Sequence, residues 1–193
     1  MGLLNKFMHW MEKHGSHRDI YRMENGKPVL YLRRYYVVKF GDNFQILIHK
    51  FFRGDVGPLH DHPNSSFGWI LRGGYWETLC QGLRSGIPHN TYWVWREPGL
   101  FKVGHRPAGN FDHSDYRAYH KVSLNDSDID TGHVVTLFIT GKRTSHSWGF
   151  ATDRGYAHFA EHSKNEGVMH MQVAHTDYKG WFFPVNPAMI GKH

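Results

Sequence analysis

An all-β fold carrying one N-terminal helix is the class this sequence predicts. Three observations predict it. Short β-branched and aromatic runs recur along the chain, turn residues separate them, and a helical apolar period is clear only near the N-terminus. The runs "VLYLRRYYVVKF", "FQILIHKFF", "SFGWILR", "YWETLC", "TYWVWR", "YRAYHKVSL", "HVVTLFITG" and "SWGFAT" read as strands. Gly26-Lys27-Pro28, Gly41-Asp42-Asn43, Gly73-Gly74 and Glu97-Pro98-Gly99 read as the turns between them. Many short strands at this spacing describe a sandwich or barrel.

The elements follow in order. Leu3, Leu4, Phe7, Met8 and Met11 recur at helical spacing, which predicts a helix over residues 2–14 that Gly15 stops and that docks on the main domain. The barrel core is expected over about residues 29–154. Residues 155–193 are expected to wrap the surface, with a short helix within 155–166 and two prolines in "KGWFFPVNPAMIGKH". No repeat, low-complexity tract or linker divides the chain, so residues 1–193 read as one domain.

Composition narrows the function classes. Of 193 residues 40% are hydrophobic and 21% charged, the balance of a globular domain and not of a disordered one. The formal charge of +6 permits an anionic partner, but the densest basic run is only "LRRYY", so a nucleic-acid partner is not expected. The single cysteine, Cys80, excludes a disulfide framework and a Cys-rich zinc module, and it reads as a small buried hydrophobe. No run of 18 apolar residues exists and the N-terminus makes a poor secretion signal, so a cytoplasmic protein with no membrane partner is expected. There is no Gly-x-Ser-x-Gly nucleophile elbow, and "GKRTS" lacks the upstream glycine and the following helix of a phosphate-binding loop.

The chemistry concentrates in "GPLHDHPNSSFGWILRGGYWE". Residues two apart on a strand share a face, so His60 and His62 aim their rings together while Asp61 points away. Two imidazoles suit iron, zinc, nickel or copper, and a third donor must come from another strand. His105, His113 and His120 are the candidates. His120 heads "HKVSL", where His120, Val122 and Leu124 share one face, and strand phase favours it. Glu77 on the next strand is the nearby carboxylate. Arg106 and Arg143 are candidates for gripping a substrate carboxylate or phosphate, since a guanidinium binds either bidentately. Phe67, Trp69 and Leu71 share a face if the strand is regular and are expected to wall the cavity.

These residues resemble the first motif of the cupin superfamily: a glycine, His-x-His, three or four residues to a glutamate, then six to a glycine. Gly54, His60, His62 and Gly74 fit, with Phe67 at the glutamate position. The resemblance implies a double-stranded β-helix, or jelly-roll, barrel and a divalent metal on His60, His62 and His120, the last matching the family's His, basic, aliphatic order. The stretch "HDHPNSSFGWILRGGYWETL" also looks like cysteine dioxygenases and related thiol dioxygenases, which bind iron through three histidines and no carboxylate. Some of those enzymes crosslink a cysteine at the Phe67 position to a tyrosine, which Phe67 cannot do. A wider likeness, over about residues 29–154, is to small phage and bacterial cupin-like proteins in "HDHP", "ILRGGY", "HRPA", "HKV" and "TLFITGKRTSHSWGF".

Three functions are compatible with that fold. One is a mononuclear non-haem iron oxygenase acting on a small anionic or thiol substrate. Another is a zinc- or manganese-dependent isomerase, epimerase or hydrolase. The third is a non-catalytic ligand-binding or structural cupin. The missing glutamate beside retained histidines favours the first, with Fe(II) as the metal and Zn or Mn as alternatives. The resemblance also implies a homodimer through paired barrel edges.

Overall fold

A computed structural model describes residues 2–25, 27–40, 43–84, 87–99, 104–107, 109, 115–144, 148–165 and 171–174. The N-terminal helix α1 spans Leu3–His14. Strands follow as β1 (Ser16–Glu24), β2 (Lys27–Phe40), β3 (Phe44–Phe51), β4 (Leu59–His60), β5 (Asn64–Arg72), β6 (Tyr75–Leu79), β7 (Gly82–Arg84), β8 (Ile87–His89), β9 (Tyr92–Arg96) and β10 (Gly104–Arg106). Then come β11 (Lys121–Ser123), β12 (Val134–Arg143), β13 (Gly149–Thr152), β14 (Gly155–His158), a second helix α2 (Phe159–Asn165) and β15 (Met171–Ala174).

The result is an all-β fold of antiparallel sheets with α1 packed against the largest of them. One sheet runs β10-β5-β12-β3-β2-β1-β15; β11-β6-β9 and β14-β13-β4 form two smaller sheets, and β7-β8 a hairpin. Every pairing is antiparallel. The two-residue period sorts the large sheet into faces. Leu32 pairs Phe51 and Arg34 pairs His49, while Val134 pairs Phe51 and Thr136 pairs His49. Ile20, Leu32, Phe51, Val122 and Val134 pack on that inward face. A second buried cluster joins Leu59, Cys80, Ala118, Tyr119 and Ala151. His60 follows Leu59 and His120 follows Tyr119, both of this second cluster.

Helix α1 covers part of the outward face. Met8 and Met11 pack on Tyr35, Ile48 and Val135, and each buried side chain of this size stabilises by about 1.5–3 kcal/mol. A polar clamp secures the contact. Glu12 accepts from Tyr35 Oη at 2.6 Å and Arg33 Nη1 at 2.9 Å, and Arg33 reaches on to both oxygens of buried Asp19. Burial pushes the Glu12 carboxyl up, but the Tyr35 and Arg33 hydrogen bonds and the Arg33 charge together hold it below its ordinary value. A depressed carboxylate stabilises the fold above its unfolded pKa of about 4.3 and loses that contribution as pH falls through the lower folded value. Thermal melting of wild type is therefore expected to drop more steeply below about pH 4.3 than that of Glu12→Gln. Parallel pH profiles would assign the clamp no role.

The short helix expected within 155–166 is α2, Phe159–Asn165, and strand β14 precedes it. Two expectations change. Strand β1, "SHRDIYRME", was not legible because charged residues alternate through it; its Arg33-paired Asp19 and its neighbour Ile20 are both buried. Phe67, Trp69 and Leu71 do not wall the cavity. Phe67 pairs Ile139 and Trp69 pairs Leu137 on the outward face, Phe67 is 47% exposed, and Leu71 packs beneath α1. Ser66 and Ile70, the buried residues of β5, face inward in their place. The outward face is the more apolar because α1 covers part of it, while the inward face carries Ser66, Gly68 and Ile70. Residues 166–170 and 175–193, most of the expected wrap, lie outside the described residues. No helix among the described residues is long and apolar enough to cross a membrane.

Candidate metal centre

His60, His62 and His120 converge. One ring nitrogen from each lies within 4.8 Å of the others, and the ring centroids stand 4.9, 4.9 and 5.1 Å apart. The backbone explains the convergence. His60 and His120 exchange both backbone hydrogen bonds at 2.9 Å as an antiparallel bridge. Fully buried Asp61 turns away from the rings, donates its N–H to Gly149 O at 3.1 Å, and accepts from Gly149 N at 2.7 Å. Gly109 N donates to His62 O, and Thr144 donates to Pro63 O through both N and Oγ1. The His-Asp-His segment is thus tied on every side, although strand β4 itself ends at His60.

A carboxylate behind the His120 ring sets which of its nitrogens faces inward. His120 Nδ1 lies 2.8 Å from Glu77 Oε1, and Arg96 Nε donates to Glu77 Oε2 at 2.7 Å. Glu77 is 4% exposed, so both its oxygens are committed in a dry setting. His60 Nδ1 stands 3.9 Å from Asp55 Oδ2, and Asp55 is held by Tyr31 Oη and by Val122 N at 2.6 Å. Burial, then the Asp55 charge and hydrogen bond, push the Tyr31 hydroxyl well above its usual value, so it stays a donor. The Glu77–His120 contact fixes that ring's orientation and raises the basicity of its opposite nitrogen, whereas Asp55 stands beyond hydrogen-bond distance of His60.

That opposite nitrogen on His120, Nε2, lies 2.9 Å from His62 Nε2. Two metal–nitrogen bonds of about 2.1 Å place their nitrogens about 3.0 Å apart at a right angle and about 3.4 Å apart at the tetrahedral angle. The His62–His120 spacing is short enough for both nitrogens to reach one ion. The donor set therefore fits a divalent transition metal with positions left open. Aromatic rings surround it: Trp148 and Phe150 each 6.1 Å from His60, and Phe138 6.5 Å from His62.

Phe138 also stacks on His49, at 5.0 Å. His49 is buried, and burial together with the Arg34 charge pushes its pKa well below the ordinary value, so it is neutral. Arg34 Nε donates to His49 Nε2 at 3.1 Å and has no other hydrogen-bond partner among the described residues. Thr140, two residues beyond Phe138 on the same inward row, is 7% exposed, and its hydroxyl has no partner among the described residues. A buried orphan hydroxyl costs about 1–3 kcal/mol, which a water or ligand offsets. One phenyl ring thus separates the histidine triad from a polar region that contains a guanidinium with free donors.

Of the sequence candidates, the structure brings together His60, His62, His120 and Glu77. Arg143 is exposed and pairs Asn64 at the far end of β12, two residues from His62 in the chain. Arg106 and His105 have described backbones in β10, but their side chains lie outside the described residues, as does all of His113. Ser66 is the inward residue near the motif's glutamate position, so the spacing of three applies and no carboxylate stands there. Arg34, His49, Asp55 and Arg96 were missed. Alternation through Leu32, Arg34 and Tyr36 carried a signal for Arg34; Asp55 lies in a loop that carried none.

No protein-family model matches the chain, and no curated protein matches it in sequence. Solved structures do match. A cupin-2 domain from Rhodospirillum rubrum is 13% identical, covering 80% of this chain and 83% of that one, with a TM-score of 0.46. KdgF from Halomonas sp. is 18% identical, covering 58% and 82%, with a TM-score of 0.37. A cupin superfamily protein from Desulfitobacterium hafniense is 18% identical, covering 62% and 81%, with a TM-score of 0.38. Likeness at these scores carries no functional weight, and the chemistry rests on the site itself.

Proposed function

We propose that the chain is a metal-dependent cupin, and within that class a mononuclear non-haem iron oxygenase acting on a small substrate that carries a carboxylate, with a thiol as the oxidised group. The observation that supports it is a three-histidine cluster with no carboxylate donor among the described residues, one phenyl ring away from a guanidinium whose Nη groups have no partner among those residues.

His60, His62 and His120 would hold the metal, with Glu77 fixing the His120 ring from behind and Asp55 facing that of His60. Bound iron(II) would supply the redox and dioxygen chemistry, which no amino-acid side chain supplies alone. Three neutral imidazoles bring no negative charge, so the site favours an anionic ligand. Arg34 provides the matching charge for the substrate's other end, and its planar Nη donors suit a carboxylate. His49 stays neutral beside it and orients the guanidinium through Nε2. Thr140 offers a further hydroxyl in the same region. Phe138, Trp148 and Phe150 keep the surroundings apolar, which strengthens each of these polar contacts.

The test is reconstitution. Protein purified without oxygen is loaded with iron(II), zinc or manganese, and oxygen uptake is followed with a panel of small mercapto-carboxylates, their amines and the matching uncharged thiols. Uptake is expected only in the iron form, and carboxylate-bearing thiols are expected to reach half-maximal rate at far lower concentration than the uncharged ones. Turnover in the zinc or manganese form without oxygen use would replace the oxygenase reading with a Lewis-acid one.

Glu77 gives a separate expectation. Glu77→Gln retains the shape but turns an amide toward either Arg96 or His120, so one of two buried contacts is lost. Metal affinity is expected to fall about 10–100-fold with the fold retained, measured by competition with a chromophoric chelator. Unchanged affinity would mean that His120 is oriented without Glu77.

A further inference from the structure

Arg96 spends only part of its guanidinium on Glu77. Its Nε takes Glu77 Oε2 at 2.7 Å, and its Nη groups have no partner among the described residues. Register shows where they lie. On β6 and β9, Glu77, Leu79, Val94, Tyr92 and Arg96 share one face, because Glu77 pairs Val94 and Leu79 pairs Tyr92. Beyond Glu77 on that face is a cavity of about 380 Å³, with Arg96 among its lining residues.

The lining is chemically divided. Leu79, Tyr92, Pro107 and Tyr116 present apolar and aromatic surface, and Arg96 and Arg117 present guanidinium groups. Arg117 is held by Asp115, with Nε at 2.8 Å and Nη2 at 2.9 Å from its two oxygens. Each arginine is therefore already balanced by one carboxylate. A single added negative charge is tolerated there, whereas a dianion would leave the region strongly negative. The volume lies at the lower end of ordinary small-molecule sites.

The cavity meets the triad only from behind. Arg96 contacts Glu77, and Glu77 contacts Nδ1 of His120, whereas Nε2 is the nitrogen that faces His62. An occupant that uses Arg96 does not enter the space in front of the histidines.

We propose that this cavity is a second ligand site, separate from the metal centre, for a small organic monoanion with a flat apolar body, such as an aromatic carboxylate. The carboxylate takes the free Nη edge of Arg96, and the ring lies against Tyr92 and Tyr116. The occupant shares the guanidinium that fixes Glu77, which places it where it acts on His120 without touching the metal.

Metal-free protein tests this without any turnover, so the outcome is independent of the iron-oxygenase reading. Benzoate, benzamide and inorganic phosphate are titrated calorimetrically into wild type, Arg96→Gln, Tyr116→Ala and His62→Ala. Benzoate is expected to bind wild type and His62→Ala alike, with a dissociation constant at or below about 1 mM, and benzamide and phosphate at least tenfold more weakly. Arg96→Gln is expected to lose at least tenfold in benzoate affinity. Tyr116 is 39% exposed, so Tyr116→Ala is expected to fold normally and still lose several-fold. Equal binding of benzoate and benzamide, unchanged affinity in Arg96→Gln, or a loss in His62→Ala without one in Tyr116→Ala would overturn the proposal. Phosphate binding as tight as benzoate would overturn the ligand class.

Discussion

Arg34→Met is expected to bind iron as wild type does and to need about a hundredfold more of a carboxylate-bearing substrate for half-maximal rate. The factor corresponds to about 2.7 kcal/mol, within the range for hydrogen bonds to a charged group. Arg34 shares its inward row with His49, and His49 and His62 flank the same Phe138 ring. A substrate held at the metal centre by one end and at Arg34 by its carboxylate spans that ring. Arg34→Met also leaves His49 Nε2 without its donor, so a fall in melting temperature accompanies the kinetic change. Arg34→Lys keeps the charge but loses the planar fork, and it is expected to recover only part of the affinity. The uncharged thiol is the control: its KM is expected to be the same in all three proteins. Equal losses for charged and uncharged thiols would reduce Arg34 to a packing role.

His62→Ala is expected to lower bound metal from about one equivalent to below about one tenth, and to abolish oxygen uptake, because two remaining imidazoles bind a divalent ion far more weakly than three. His62 is the most informative of the three positions. His120→Ala strips buried Glu77 of the partner on Oε1, which adds a stability loss to the metal loss. His60→Ala disturbs a ring packed on Phe150 and facing Asp55. His62 lies past the end of β4 and is only partly buried, so its removal leaves the strand bridge between His60 and His120 in place. The control is His49→Ala, a buried histidine near the same Phe138 ring but outside the triad. It is expected to retain the metal. Elemental analysis of both variants, together with their melting temperatures, separates loss of metal from loss of fold.

Much of the centre was legible because it uses local rules. The pair at 60 and 62 followed from spacing, and His120 followed from the phase of "HKVSL", in which Val122 is buried as the alternation required. The turning away of Asp61 was also expected; its hydrogen bond to Gly149, 88 residues along the chain, was not, since nothing local records such a partner. Glu77 was identified as the nearby carboxylate, while its division between His120 and Arg96 depends on β6 lying between β11 and β9. The aromatic run from Phe67 was misplaced because α1 packs on part of the outward face and makes it the more apolar one, while Ser66, Gly68 and Ile70 face inward, so hydrophobicity pointed to the wrong face. Arg34 and His49 were overlooked for the opposite reason. They are polar residues on an inward face, where periodicity leads one to expect only apolar ones, and such departures mark sites that handle charge.

The central claim is that imidazoles from three separate positions hold one metal ion with no carboxylate bound to it. Anomalous diffraction at the iron edge, from crystals of iron-loaded protein grown without oxygen, tests it most directly. The account predicts a single strong peak about 2.1 Å from one nitrogen each of His60, His62 and His120, with Glu77 and Asp55 behind the rings. A peak bound by a carboxylate oxygen of either acid, or iron found only away from the three rings, would contradict it.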